Sequence, residues 1–277
     1  MVDIPKTIGF AERWASDSLS AISACISKGS FRAAISGNMP SAFAELLFKG
    51  LVEWRHHIAD PSPMINQALG VAHHAFAILP QVRSELEKDP NVILERLGDG
   101  SSPAAMRPWR WFPFPDATLA SMLLHKIPDS NLLEVTPGPE AWNPKKHDDI
   151  DWYNFLNAGI VWAITRGQRS DSWEYLLAYG RKRKRCSLEV ETYEHYVNLI
   201  EFLQTKNVDK IQAGLDRAQE LYVLRRRDNN FKEGRKYDGG DGGELTVDFR
   251  LATILRCSLA NDLSFCDSLE SMHKWRW

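Results

Sequence analysis

The apolar positions of this chain recur mostly every three to five residues, the spacing that builds one face of an α-helix. In FAERWASDSLSAISACIS, Phe10, Trp14, Leu19, Ile22 and Ile26 predict one apolar stripe, with Gly29 following it. In MPSAFAELLFKGLVEWRHHIA the stripe is Phe43, Leu46, Leu47, Leu51 and Trp54, with Pro40 near the helix start and Ser41 as a candidate cap. PMINQALGVAHHAFAIL predicts a third helix that Pro80 ends or kinks, and PQVRSELEKDPNVILERL one or two short helices broken at Pro90. DATLASMLLHKI resumes the helical pattern. No stretch alternates with the period of two that a strand requires.

Two connections interrupt this rhythm. GDGSSPAAMRPWRWFPFP, from about 98 to 115, holds four prolines and four aromatics. Proline fixes φ and removes a donor, so this stretch is not helix interior, and its aromatics predict a loop packed onto the body. PDSNLLEVTPGPEAWNPKKHDD predicts a second irregular connection.

After residue 150 the pattern nearly repeats. WYNFLNAGIVWAITRGQRSDSWEYLLAYGRKR matches YEHYVNLIEFLQTKNVDKIQAGLDRAQELY at an offset of 40, pairing Tyr153 with Tyr193, Leu156 with Tyr196, Ile160 with Ile200 and Trp162 with Phe202. The turns TRGQRSD and TKNVD also correspond. Each unit reads as helix, short turn, helix, as in stacked helical repeats. The expected fold is all-α: stacked αα-hairpins forming a repeat-like body, with a Pro/aromatic-rich irregular segment in the middle. The expected organisation is a single helical domain over 1–277, with 98–116 and 136–150 as candidate sub-boundaries.

Composition narrows the function classes. The 277 residues are 44% hydrophobic and 25% charged, with a net charge of -2. That charge gives no bulk attraction to nucleic acid or membrane, and neither is an expected partner. Cys25, Cys186, Cys257 and Cys266 are dispersed without a CxxC pair, which argues against a zinc ribbon or disulfide framework. No stretch approaches the roughly 20 apolar residues of a membrane span, and the N-terminal residues lack the pattern of a secretory signal, so a cytoplasmic location is expected.

Motif chemistry gives little purchase. DGGDGGE, from Asp238 to Glu244, lacks the lysine of a phosphate-binding loop and the register of an EF-hand. It mimics one copy of a calcium-binding nonapeptide that works in tandem arrays. The plain reading is a loop feeding the helix VDFRLATILRCSLAND, with Asp248 as its first-turn acid. His56-His57 and His73-His74 are adjacent pairs, which diverge by about 100° around a helix and so offer at most one ligand each to a given site. His56 and His73 meeting near Glu53 would make a metal-dependent hydrolase, the lesser alternative. No nucleophile elbow is present. The expected assignment is therefore no enzyme, no catalytic residue, no metal, no cofactor and no small-molecule substrate. The basic runs RKRKR (181–185) and RRR (225–227) fall near expected helix C-termini. At the end of the chain, Trp275 and Trp277 flank Arg276, either tucked back on the body or offered as anchors to a partner.

The second half resembles the immunity protein 49 family of bacterial polymorphic toxin systems. The resemblance is carried by the aromatic helix DWYNFLNAGIVWAI, the hairpin YVNLIEFLQTKNVDKIQAGLDRAQELY followed by RRRD, and the glycine-rich loop running into VDFRLATILRCSLANDLSF. Asp248, Leu251, Ala252 and Leu255 occupy comparable places in the family's last acid-led helix. The likeness covers about 150–277, and a proline-bearing end usual in the family does not follow SLESMHKWRW. It implies a cytosolic antidote that neutralises a cognate toxin domain by direct contact. A cationic toxin would be met by an acidic patch, for which Asp148, Asp149, Asp151, Asp238, Asp241 and Glu244 are the candidates. The alternative is a helical scaffold or adaptor for another partner.

Overall fold

The structure is a computed structural model that describes residues 4–88, 107–145, 147, 149–166, 171–183, 187–232 and 248–258. The protein is all-α, and no strand occurs among the described residues. Helix α1 (Ile4–Ser27) lies along α3 (Met39–Arg55). It reaches α3 through a short α2 (Phe31–Ala33) and a π-helical turn, Ala34–Asn38. Met39 N–H bonds to Ala34 carbonyl across that wide turn. In a regular helix the ring of Pro40 would meet the carbonyl four residues back, and the π turn just before it gives that carbonyl room. Ser41 is not a cap: its hydroxyl donates to Gly37 carbonyl at 3.1 Å from inside the continuous helix.

The stripe expected on α1 is corrected. Its buried residues are Ala11, Ala15, Ser18 and Ile22, while Phe10, Trp14 and Leu19 are exposed. Small side chains let α1 approach α3 closely.

Helix α4 (Ser62–Ala77) follows, with Asp60 accepting from Ser62 N–H at 2.9 Å and its hydroxyl at 2.8 Å. Helix α5 (Leu79–Glu87) begins with Pro80 in its first turn, where a missing N–H costs nothing. The aromatic connection does pack onto the body where it is described. Trp109 and Phe112 are buried, and the Phe112 ring meets Phe43 edge-on at 5.4 Å. Helix α6 (Phe114–His125) is buried from Phe114 to Leu123 except at Asp116, so it runs through the core. Lys126, at φ 66°, ends it in the left-handed region. The second connection contains a short helix, α7 (Ser130–Glu134), capped by Asp129.

Helices α8 (Asp149–Arg166), α9 (Ser172–Arg181) and α10 (Ser187–Gln204) touch one another, an arrangement compatible with stacked hairpins. Leu156 and Tyr196 are both buried, as are Ile160 and Ile200, but Tyr153 is partly exposed where Tyr193 is buried. Two glycines set the spacing: a Cβ on Gly159 would fall 1.9 Å from the Trp173 ring, and one on Gly180 2.5 Å from Trp152. Helix α11 (Val208–Lys232) packs on α10 and carries residues 225–227 within its length, not at its end. Helix α12 (Phe249–Ser258) closes against α6, α8 and α10. Buried side chains form one continuous cluster from Ala15 to Leu255.

Candidate functional site

The residues expected to meet a partner fall into three groups. Asp148, Asp238, Asp241, Glu244, Trp275 and Trp277 lie outside the described residues. Asp149 begins α8. Asp151 is a correction. It is fully buried, accepts from Trp109 Nε1 at 3.2 Å, and pairs with Arg110 Nε at 3.2 Å. Asn154 donates to Trp109 carbonyl at 3.1 Å from one turn further along α8. Together they fasten the Pro-Trp-Arg turn to α8. A carboxylate spent on that clamp is not part of an outward acidic patch.

A polar centre that the sequence did not single out sits where α6, α8, α10 and α12 meet. Arg250 donates from Nη2 to Asp116 Oδ1 and from Nε to Asn157 Oδ1, each at 2.8 Å. Asn157 Nδ2 donates to the other Asp116 oxygen at 3.0 Å. The Tyr193 hydroxyl donates to Asn157 Oδ1, and the Tyr196 hydroxyl to Asp248 Oδ2. Asp248 also accepts from Arg250 N–H at 3.2 Å, so it acts as the N-cap of α12 and not as a first-turn residue. Burial opposes the Arg250 charge, but Tyr193, Asp116, Asp248 and Tyr196 outweigh it and raise its pKa above the ordinary value. Each of these groups is engaged within the protein. The arrangement holds four helices together.

Helix α1 exposes two large aromatics side by side. The Phe10 and Trp14 rings lie 5.6 Å apart, and the side chains are 43% and 51% exposed. Full burial of such side chains is worth about 1.5–3 kcal/mol each, much of which is unrealised here. On the other flank of the buried strip, an open groove of about 520 Å³ runs between α1, α3 and α4. Ser16, Ser20 and Ser23 line one wall, and Leu19, Leu46 and Met64 supply apolar surface. At one end Lys49 Nζ donates to Glu12 Oε1 at 2.6 Å and faces Glu53 Oε1 at 3.6 Å. Burial works against the Lys49 ammonium, but the two glutamates prevail and raise its pKa. The exposed aromatics were visible in the sequence, yet periodicity assigned them to the core.

The histidines go elsewhere. His73 Nε2 pairs with Asp129 Oδ2 at 3.1 Å, beside the cap of α7. Among the described residues no three His, Cys, Asp or Glu side chains gather as metal ligands do. Two cations of the basic run are engaged internally: Arg181 bridges Glu174 and Glu194, and Arg183 stacks over Tyr179 at 3.9 Å. No described helix is long and apolar enough to cross a membrane. Comparison with known families, characterised proteins and solved structures returns no match.

Proposed function

We propose that this chain is an immunity protein that neutralises a bacterial toxin domain by direct contact, with α1 as a principal contact surface. The observation that carries the binding part is the exposed Phe10–Trp14 pair on a helix whose buried strip is made of small side chains. Large aromatics serve best at the desolvated centre of an interface, where truncating one costs 2 kcal/mol or more. The rigid helical body supports such a surface at little ordering cost. The toxin part comes from the resemblance of residues 150–277 to the immunity protein 49 family.

The test is co-expression with the C-terminal domain of the neighbouring gene's product, as the candidate toxin. The wild type is expected to rescue growth and to co-purify with that domain. Phe10→Ser with Trp14→Ser is expected to weaken binding about 30-fold or more while folding normally. Absence of both rescue and co-purification by the wild type would sink the immunity reading. Co-purification without rescue would support the adaptor instead. Unchanged binding by the double variant would remove α1 from the interface.

A further inference from the structure

We propose that the groove between α1, α3 and α4 receives a short amphipathic helix of the partner protein, with apolar side chains on Leu19, Leu46 and Met64 and a Lys or Arg near Glu12. This rests on the protein-binding reading above and adds the kind of segment that is bound. The α1 wall is formed by Glu12, Ser16, Ser20 and Ser23, which recur at helical spacing and so share one face. From Glu12 to Ser23 that wall runs about 16 Å, or three helical turns. Helix axes pack about 8–10 Å apart depending on the side chains at the contact, and three serines suit the closer end of that range. The volume, about 520 Å³, admits side chains from one helix face and not a whole domain.

Charge selects the polarity of the occupant. At the end of the groove two carboxylates, Glu12 and Glu53, flank one ammonium, Lys49. The Glu12 side chain remains 54% exposed while it accepts from Lys49, so it can take a second cation from outside. An acidic helix would meet the exposed Glu12 as a like charge in the same place. An apolar row flanked by basic residues matches the groove in both respects, as in other helix-in-groove complexes.

The test uses two synthetic peptides of about four helical turns, one patterned with Leu and Lys and one with Leu and Glu. Each is labelled and titrated with the full chain by fluorescence anisotropy. The Leu/Lys peptide is expected to bind saturably and to weaken with added salt. Ser20→Trp, which fills the groove from an exposed position, is expected to weaken it about tenfold. Ser20→Ala keeps the groove open and is expected to bind as the wild type does. If Ser20→Trp does not fold, Ser16→Arg blocks the same wall and is read in the same way. Equal binding of the Leu/Glu peptide, indifference to the groove-filling variant, or no binding at all would overturn the proposal. Toxin binding separates the two readings. If Phe10→Ser with Trp14→Ser loses the toxin while Ser20→Trp retains it, the groove inference fails and the immunity reading stands. If the wild type never binds the toxin, the immunity reading fails whatever the peptides do.

Discussion

Arg250→Met removes the cation that joins α12 to α6 and α8 while keeping most of the side-chain volume. Two charge-assisted bonds of 2.8 Å are lost, and the Asp116 carboxylate keeps only Asn157 of the partners described for it above. Removing one partner of a buried ion pair costs about 3–5 kcal/mol. Asp116 and Arg250 are each 17% exposed, so water relieves part of this and the lower figure, about 3 kcal/mol, is expected. At roughly 2–4 °C per kcal/mol for a chain of this size, the melting temperature falls by about 6–12 °C. Urea unfolding followed by tryptophan fluorescence measures the free-energy loss, and thermal unfolding followed by far-ultraviolet circular dichroism measures the fall in melting temperature. The double variant Arg250→Met with Asp116→Asn removes both charges and is expected to lose less than the sum of the single variants, by about 1–3 kcal/mol. A loss below about 1 kcal/mol for Arg250→Met, or strict additivity in the double variant, would refute the reasoning.

Glycine substitutions divide by what stands opposite the new Cβ. Gly159→Ala places it 1.9 Å from the buried Trp173 ring and is expected to lose about 3 kcal/mol or more, whereas Gly70→Ala meets nothing within 4 Å on α4 and gains about 0.5–1 kcal/mol; thermal melts that reverse this order would contradict the packing. Burial pushes the Cys257 thiol up to about 12, so at pH 8 only about one molecule in ten thousand carries the thiolate. Iodoacetamide is expected to spare Cys257 in the native protein and label it once unfolded, and rapid native labelling seen by mass spectrometry would count against this. The Asp60 carboxyl is held below its ordinary value by the Ser62 N–H and hydroxyl. Its stabilisation is therefore complete above the ordinary value and lost as pH falls through the lower folded one. Asp60→Asn is expected to remove this part of the acid dependence of the melting temperature, and identical acid profiles for both proteins would exclude the contribution.

The fold class was legible because helical periodicity depends on neighbours a few residues apart. The aromatic connection was legible too, since Trp109 and Phe112 have nowhere to go but inward once proline forbids a helix. On α1 the same method failed. Hydrophobicity marks Phe10, Trp14 and Leu19 as core, but α3 lies close enough that Ala11, Ala15 and Ser18 fit the contact instead. The polar centre was invisible for another reason. Arg250 meets Asn157 across 93 residues and Asp116 across 134, and no local pattern encodes such a pairing. Asp151 read as a surface acid because the acidic run around it looks solvated, whereas its Trp109 and Arg110 partners lie some forty residues upstream.

The wide turn at Ala34–Asn38 and Pro40 also constrain how this chain can change by descent. Deleting one codon between residues 34 and 38 would drive the proline into a regular turn. Replacing the proline alone leaves the extra residue in place, with the core still built around it. Reversal needs a substitution and a deletion together, and the deletion is harmful when it comes first. The turn therefore works as a ratchet. Homologues that diverged after it arose are expected to keep the extra residue even where the proline has been replaced.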